Sequence, residues 1–106
     1  MVTRGEVWLA RLDPTEDRES QKTRPCLIVS PPELHDFLDI VIVAPMTTAG
    51  HPAPFRLDVP FNEKANRILL EQLRAIDKSR LLRRLGEIDR KAITAALATL
   101  QNMFAD

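Results

Sequence analysis

The chain has 106 residues, 44% hydrophobic and 28% charged, which suits one folded, soluble domain with a modest core. Fifteen Lys and Arg balance fifteen Asp and Glu. That neutrality excludes a protein that holds nucleic acid by bulk charge, since such affinity needs many phosphate contacts, but it leaves room for a local basic site.

Cys26 is the only cysteine, so no internal disulfide forms. It lies in an apolar run and reads as a small buried hydrophobe, consistent with a reducing interior. No N-terminal apolar segment resembles a signal peptide and no run is long enough to span a bilayer, so a cytoplasmic location is expected. Two histidines and one cysteine in separate stretches argue against a zinc site.

Gly5 launches a strand over Val7–Leu12, with Trp8, Ala10 and Leu12 on one face and Val7, Leu9 and Arg11 on the other. Trp8 reads as core or dimer packing, with base stacking as the second reading. Asp13-Pro14 ends the strand, and Thr15–Thr23 is a long polar link of the kind that is often functional. Pro25 to Ser30 forms the second strand; Pro25 pushes Arg24 toward extended backbone, so Arg24 sits where a polar loop meets a rigid sheet. A planar guanidinium there suits a phosphate, although a plain surface arginine has the same spacing.

Pro31-Pro32 stops that strand. Glu33–Leu38 reads as a loop or single helical turn, with His35 in solvent. Asp39–Ala44 is the strongest strand and should be central; Pro45 to Gly50 then leaves the sheet. Phe55, Leu57 and Val59 alternate with Arg56 and Asp58, giving a half-exposed antiparallel strand, and Phe61–Asn66 is a turn. Ile68–Ile76 reads as a strand interrupted by Glu71-Gln72, whose carboxylate must face solvent, a partner chain or a cation. A short turn at Asp77–Leu81, a closing strand at Leu82–Gly86 and a helix over Asp89–Phe104 follow. In the helix Ile93, Leu97 and Leu100 share a stripe with Ala96, Met103 and Phe104 beside it, and Asp89 is the cap. Five or six short antiparallel strands plus a C-terminal helix imply a small curled sheet or open barrel.

Arg24, Thr47, Glu71 and Glu19 lie at strand ends, in mid-strand or in the polar loop, and none is on the helix. Such a set supports phosphoryl transfer without a metal. The guanidinium offsets charge developing on phosphate oxygens, and a carboxylate or loop group accepts the proton of an attacking 2′-hydroxyl, which RNA supplies and DNA does not.

The ordered motifs Arg4-Gly5-Glu6-Val7-Trp8, Leu12-Asp13-Pro14-Thr15, Lys22 to Ser30, Val43 to Thr48, and Leu70 to Leu81 resemble the MazF/PemK family of toxin endoribonucleases and cover nearly the whole chain. The resemblance implies a single toxin domain over residues 1–106, mainly β, with an SH3-like (CcdB/PemK-like) barrel of antiparallel strands and a C-terminal helix. It implies a homodimer that cleaves single-stranded RNA with no metal or cofactor, leaving 2′,3′-cyclic phosphate and 5′-hydroxyl ends. A cognate antitoxin would wrap the dimer and block the RNA groove.

Carried onto this sequence, the family's catalytic arginine matches Arg24 and its strand-exit threonine or serine matches Thr47, with Thr48 adjacent. Glu19 matches the glutamate of the family's first loop, and Glu71 an acidic position that some PemK-type members use as base or substrate contact. Arg18, Ser20, Lys22, Gln72, Arg74 and Arg80 are the implied RNA contacts. The loop here reads Asp17-Arg18-Glu19-Ser20, with Arg18 in place of the PemK-type histidine, and Leu69 stands where those members have an arginine two residues before the acidic position. Two proton-transfer schemes follow: Arg24 is both acid and clamp, or Glu19 or Glu71 takes the proton. The neutral net charge implies local positive potential, with acidic residues collected elsewhere. Two rivals are a non-enzymatic CcdB-like toxin that inhibits DNA gyrase, and an SH3-like binding module with a flat, dry surface around Arg24 and no carboxylate nearby.

Overall fold

A computed structural model describes residues 2–12 and 23–106. Seven described strands form one curled antiparallel sheet: β1 (Glu6–Arg11), β2 (Thr23–Ile28), β3 (Ile40–Thr47), β4 (Arg56–Phe61), β5 (Lys64–Leu69), β6 (Arg74–Asp77) and β7 (Leu81–Glu87). Helix α1 (Pro32–Phe37) links β2 to β3, and α2 (Arg90–Met103) closes the chain. The order is β4-β5-β3-β2-β1-β7, with β6 also paired to β3. This is the expected mainly-β half-barrel with a C-terminal helix.

The two faces of the sheet bury different sets, as the alternation in β1 requires. Val7, Leu27, Ala44, Met46, Val59 and Ile68 form the main core, covered by α2 through Ala96, Ile93, Leu100 and Met103. Ala10, Cys26, Ile28, Val41, Val43 and Ile76 form a second cluster on the opposite face, flanked by Trp8 and Leu81. Trp8 is half-buried there, and its Nε1 donates to Glu6 Oε1 at 2.9 Å. Asp89 caps α2 as expected, accepting from the Ala92 N–H at 2.9 Å. Phe104 does not extend the apolar stripe; it follows the last helical residue and is 72% exposed.

Gly5 is a joint between elements. Its N–H donates to the Ile28 carbonyl at 2.9 Å and its carbonyl accepts from Ile88 N–H at 3.0 Å, tying β2 to the segment that enters α2. This needs φ +97°, which glycine adopts without a Cβ clash. The β4–β5 hairpin turns in two residues, Asn62 and Glu63, both at positive φ, as the right-handed twist of a tight hairpin demands.

Five local readings change. The turn expected over Phe61–Asn66 is only Asn62 and Glu63, because β4 runs to Phe61 and β5 starts at Lys64. β3 continues through Pro45 to Thr47 instead of leaving the sheet at Pro45. Its first half pairs with β6 and its end with β5, so the proline falls at the exchange of neighbours, where a missing N–H costs least. Ile68–Ile76 is not one strand: a 3₁₀ turn at Leu70–Gln72 separates β5 from β6. That corner drives Leu70 into the core and leaves Glu71 and Gln72 exposed. Phe55 lies outside β4 at φ +68°. Finally, His35 is buried, not solvated: its Nε2 meets Ser30 Oγ at 2.7 Å and its Nδ1 the Val2 carbonyl at 3.2 Å. Among the described residues no helix is long and apolar enough to cross a membrane.

Candidate active site at the end of the central strand

Register assembles the site. β2 and β3 pair Cys26 with Pro45, Leu27 with Ala44 and Ile28 with Val43. Carried two residues further, the same antiparallel register sets Arg24 across from Thr47. Thr47 in turn pairs with Arg67 on β5, and Arg67 with Asp58 on β4. Directly opposed residues share a face, so Arg24, Thr47, Arg67 and Asp58 form one polar row across the sheet. Cys26 and Ile28 continue the Arg24 face into the second core cluster, which fixes the backbone beneath the arginine.

Arg24 is half-buried, and among the described residues it has no carboxylate at ion-pair distance. Its charge is felt at Cys26: burial pushes that thiol up to about 12, while Arg24 and Arg74 pull against the rise. Both guanidinium groups therefore reach the same neighbourhood, Arg74 from β6, where it stands opposite Val43. Thr47 Oγ1 accepts the Ala49 N–H at 3.0 Å. With its oxygen used as an acceptor, the hydroxyl proton remains to be donated. A hollow of about 130 Å³ beside it is lined by Thr47, Thr48, Asp58 and Arg67 among others. A larger one, near 470 Å³, lies between Arg4 and the start of α2, away from this row.

The loop that leaves Thr47 is held from below by two arginines. Arg67 donates Nε to Asp58 Oδ1 at 2.8 Å and Nη1 to the Gly50 carbonyl at 2.8 Å. Arg56 donates Nε and Nη2 to Glu71 Oε2 at 3.0 and 2.6 Å, and Nη1 to the His51 carbonyl at 3.2 Å. The hydrogen bonds from Arg56 hold the Glu71 carboxyl below the ordinary value of 4.5, outweighing a smaller upward push from burial.

The remaining expected residues divide. Thr48, Gln72 and Arg74 are exposed around the row. Arg80 lies in the 3₁₀ turn before β7, with Nη1 on the Arg11 carbonyl at 3.3 Å. Arg18, Glu19, Ser20 and Lys22 lie outside the described residues. Acidic groups do not all collect elsewhere: Asp58 and Glu71 stand within the site region, each engaged by an arginine. Nothing in the sequence singles out Arg67, and Arg56 and Asp58 stand there only as the outer face of a strand. The available signal was the hairpin register, which pairs Asp58 with Arg67 and Arg56 with Leu69. Among the described residues no group of three or more His, Cys, Asp or Glu side chains is placed to hold a metal ion.

Residues 3–104 match the family described as the PemK-like, MazF-like toxin of type II toxin–antitoxin systems. The chain is 34% identical over 91 residues to the endoribonuclease MazF of Staphylococcus epidermidis, covering 80% of this chain and 76% of that protein. It is 44% identical over 50 residues to the endoribonuclease PemK of Escherichia coli, a match spanning 47% of this chain but only 38% of the relative's length. Among solved structures, MazF from Deinococcus radiodurans superposes with a TM-score of 0.80 at 20% identity, covering 96% of this chain and 94% of the other. An endoribonuclease from a mycobacterial species, solved in complex with its cognate antitoxin, also gives 0.80, at 19% identity over 96% and 93% of the two chains. At that identity the structures speak for the fold, and the family model and the staphylococcal relative for descent. The chain belongs to the PemK-like, MazF-like family of toxins from type II toxin–antitoxin systems.

Proposed function

We propose that this chain, acting as one toxin domain, is an endoribonuclease that cuts single-stranded RNA and is neutralised by a cognate antitoxin. Family membership and relatives named as endoribonucleases support the RNA-cleaving reading. The observation that carries the site assignment is the β2–β3 register: extended two residues past Cys26–Pro45, it sets Arg24, a guanidinium with no carboxylate partner among the described residues, across from a hydroxyl whose proton is available.

In this reading the scissile phosphate lies over the row. Arg24 binds two phosphate oxygens with its planar fork, and Thr47 donates to one of them as charge builds. The substrate's own 2′-hydroxyl attacks in line and passes its proton to a site carboxylate or to solvent water, the P–O5′ bond breaks, and the 5′-oxygen takes a proton from Arg24 or from water. A 2′,3′-cyclic phosphate and a 5′-hydroxyl result, with no metal needed. Arg24 and Thr47 form the catalytic core, Glu19 and Glu71 rank second, and Arg18, Ser20, Lys22, Thr48, Gln72, Arg74 and Arg80 contact RNA. The toxin works in the cytoplasm as a homodimer, with RNA crossing the interface and growth arrest as the outcome when antitoxin is lacking.

A long single-stranded transcript incubated in EDTA tests this. We expect discrete fragments with cyclic phosphate ends, and Arg24→Ala lowers the rate by about 10²–10³, the usual cost of one preorganised donor. Equal cutting by parent and variant refutes the site. Intact RNA with stalled gyrase selects the CcdB-like rival, and intact RNA with no effect on gyrase selects the binding module.

A further inference from the structure

The exit loop after Thr47 carries no regular structure, yet consecutive carbonyls in it are bound by two different strands. Arg67 of β5 donates to the Gly50 carbonyl and Arg56 of β4 to the His51 carbonyl. Each guanidinium is aimed by a carboxylate that takes its Nε: Asp58 for Arg67 and Glu71 for Arg56. Both arginine side chains are largely covered, at 20% and 19% exposure, while Asp58 is 68% and Glu71 34% exposed. The loop side of the contact is equally constrained. Gly50 turns at φ +92°, with its Cα side against Arg56 Nη1, and Pro52 and Pro54 limit the residues that follow.

This arrangement exceeds what two surface ion pairs provide. Exposed pairs contribute little to stability. Here their geometry is spent on direction: Asp58 fixes the fork of Arg67 in the register row of Thr47, and the fork then fixes the carbonyl two residues beyond Thr48. The Ala49 N–H, between those points, is the group that holds Thr47 Oγ1.

We propose that Arg67 and Arg56, braced by Asp58 and Glu71, are positioning residues that hold the exit loop so that the Thr47 hydroxyl faces the phosphate bound by Arg24. The role rests on the nuclease reading above, but the clamp itself does not. It acts through Thr47, so its loss affects the rate only while that hydroxyl is present.

The test is a double-mutant cycle of Arg67→Gln and Thr47→Ala, with Asp58→Asn as a milder second route and thermal unfolding to check that each variant folds. The substrate is the cleaved segment of the transcript, made as a short RNA. Arg67→Gln should lower kcat about tenfold or more with KM within about twofold, as expected for sub-ångström misplacement of a reacting group. In the Thr47→Ala background it should lower kcat no further, and Asp58→Asn should reproduce part of the effect. Amide exchange at Ala49 should speed up in both clamp variants. Additive losses of kcat, or a loss confined to KM, overturn the proposal by making Arg67 a direct RNA contact. Unchanged exchange at Ala49 overturns it as well. If the parent cuts no RNA, the nuclease reading falls, and Ala49 exchange alone decides whether the clamp exists.

Discussion

Ser30→Ala is expected to be one of the most damaging single-atom changes in this chain. Ser30 is 2% exposed and His35 5%. The serine Oγ accepts the Ile42 N–H at 2.9 Å and meets His35 Nε2 at 2.7 Å. The Val2 carbonyl, 3.2 Å from Nδ1, can only accept, so in the neutral ring Nδ1 carries the proton and Nε2 accepts from the Ser30 hydroxyl. One hydroxyl thus joins the end of β2, helix α1, strand β3 and, through the ring, the N-terminal segment. Alanine keeps the Cβ and opens almost no cavity, but it strands a backbone donor and a ring acceptor. At about 1–3 kcal/mol for each unsatisfied buried group, the loss is about 2–6 kcal/mol, against a total stability of roughly 5–15 kcal/mol. Even the low end lowers the melting temperature by roughly 8 °C, taking about 4 °C per kcal/mol for a domain of this size. Urea unfolding followed by the single tryptophan and by circular dichroism measures it. The double variant Ser30→Ala/His35→Leu removes the ring acceptor too, so it should fall short of the sum of the single variants by about 0.5–3 kcal/mol. A Ser30→Ala variant within about 0.5 kcal/mol of the parent, the size of an ordinary surface change, refutes this account of the junction.

Two further outcomes follow from titratable groups. Burial pushes the Cys26 thiol up to about 12 despite the pull of Arg24 and Arg74, so a disulfide reagent at pH 8 should label it only as fast as the protein opens, and at once in denaturant. Rapid stoichiometric labelling of the folded protein would contradict the buried strand. Burial works against Glu6, but hydrogen bonds from Trp8, Thr3 and Arg84 prevail and hold its carboxyl below the ordinary value of 4.5. A lowered folded value means that its contribution to stability is present above 4.5 and is lost as pH falls through the lower folded value. Trp8 fluorescence should therefore change on acidification below that ordinary value, and Glu6→Gln should abolish the step. A parent signal flat down to the acid unfolding transition would count against the Trp8–Glu6 bond.

Strand identity was legible where side chains alternate or run apolar: Val7–Leu12, Cys26–Val29, Ile40–Ala44 and the α2 stripe all carry their faces in the sequence. What was not legible depends on partners remote in sequence. The corner at Leu70–Gln72 shows in the sequence only as the Glu71-Gln72 interruption of an apolar stretch, because Leu70 enters the core from a 3₁₀ turn as readily as from a strand. His35 looked polar and therefore wet; its ring is buried only because Ser30 and the Val2 carbonyl satisfy both nitrogens. The site divides the same way. Arg24 and Thr47 stand out through motif and proline context, whereas Arg56 and Arg67 gain meaning only when the β4–β5 register sets them beside Glu71 and Asp58.

That register bears on whether Glu71 is a base. Its Oε2 takes two N–H donors from Arg56 at 3.0 and 2.6 Å, and those bonds hold the carboxyl below its ordinary value. A carboxylate so stabilised in its charged form is a weak proton acceptor, since efficient bases have affinities near the working pH. The guanidinium comes from β4, directly opposite Leu69, the position where this chain departs from the arginine of the PemK-type pattern. The charge that Leu69 does not provide reaches Glu71 from the neighbouring strand. We therefore expect Glu71→Gln to lower RNA cleavage about tenfold or less, because the amide keeps an oxygen for Arg56 but loses charge assistance. The pH–rate profile of the variant should keep the parent's acid limb. A general base at this position predicts the opposite: a loss of about 10²–10⁴ and disappearance of that limb. The second result would move Glu71 from brace to proton acceptor and leave Arg56 as the group that tunes it.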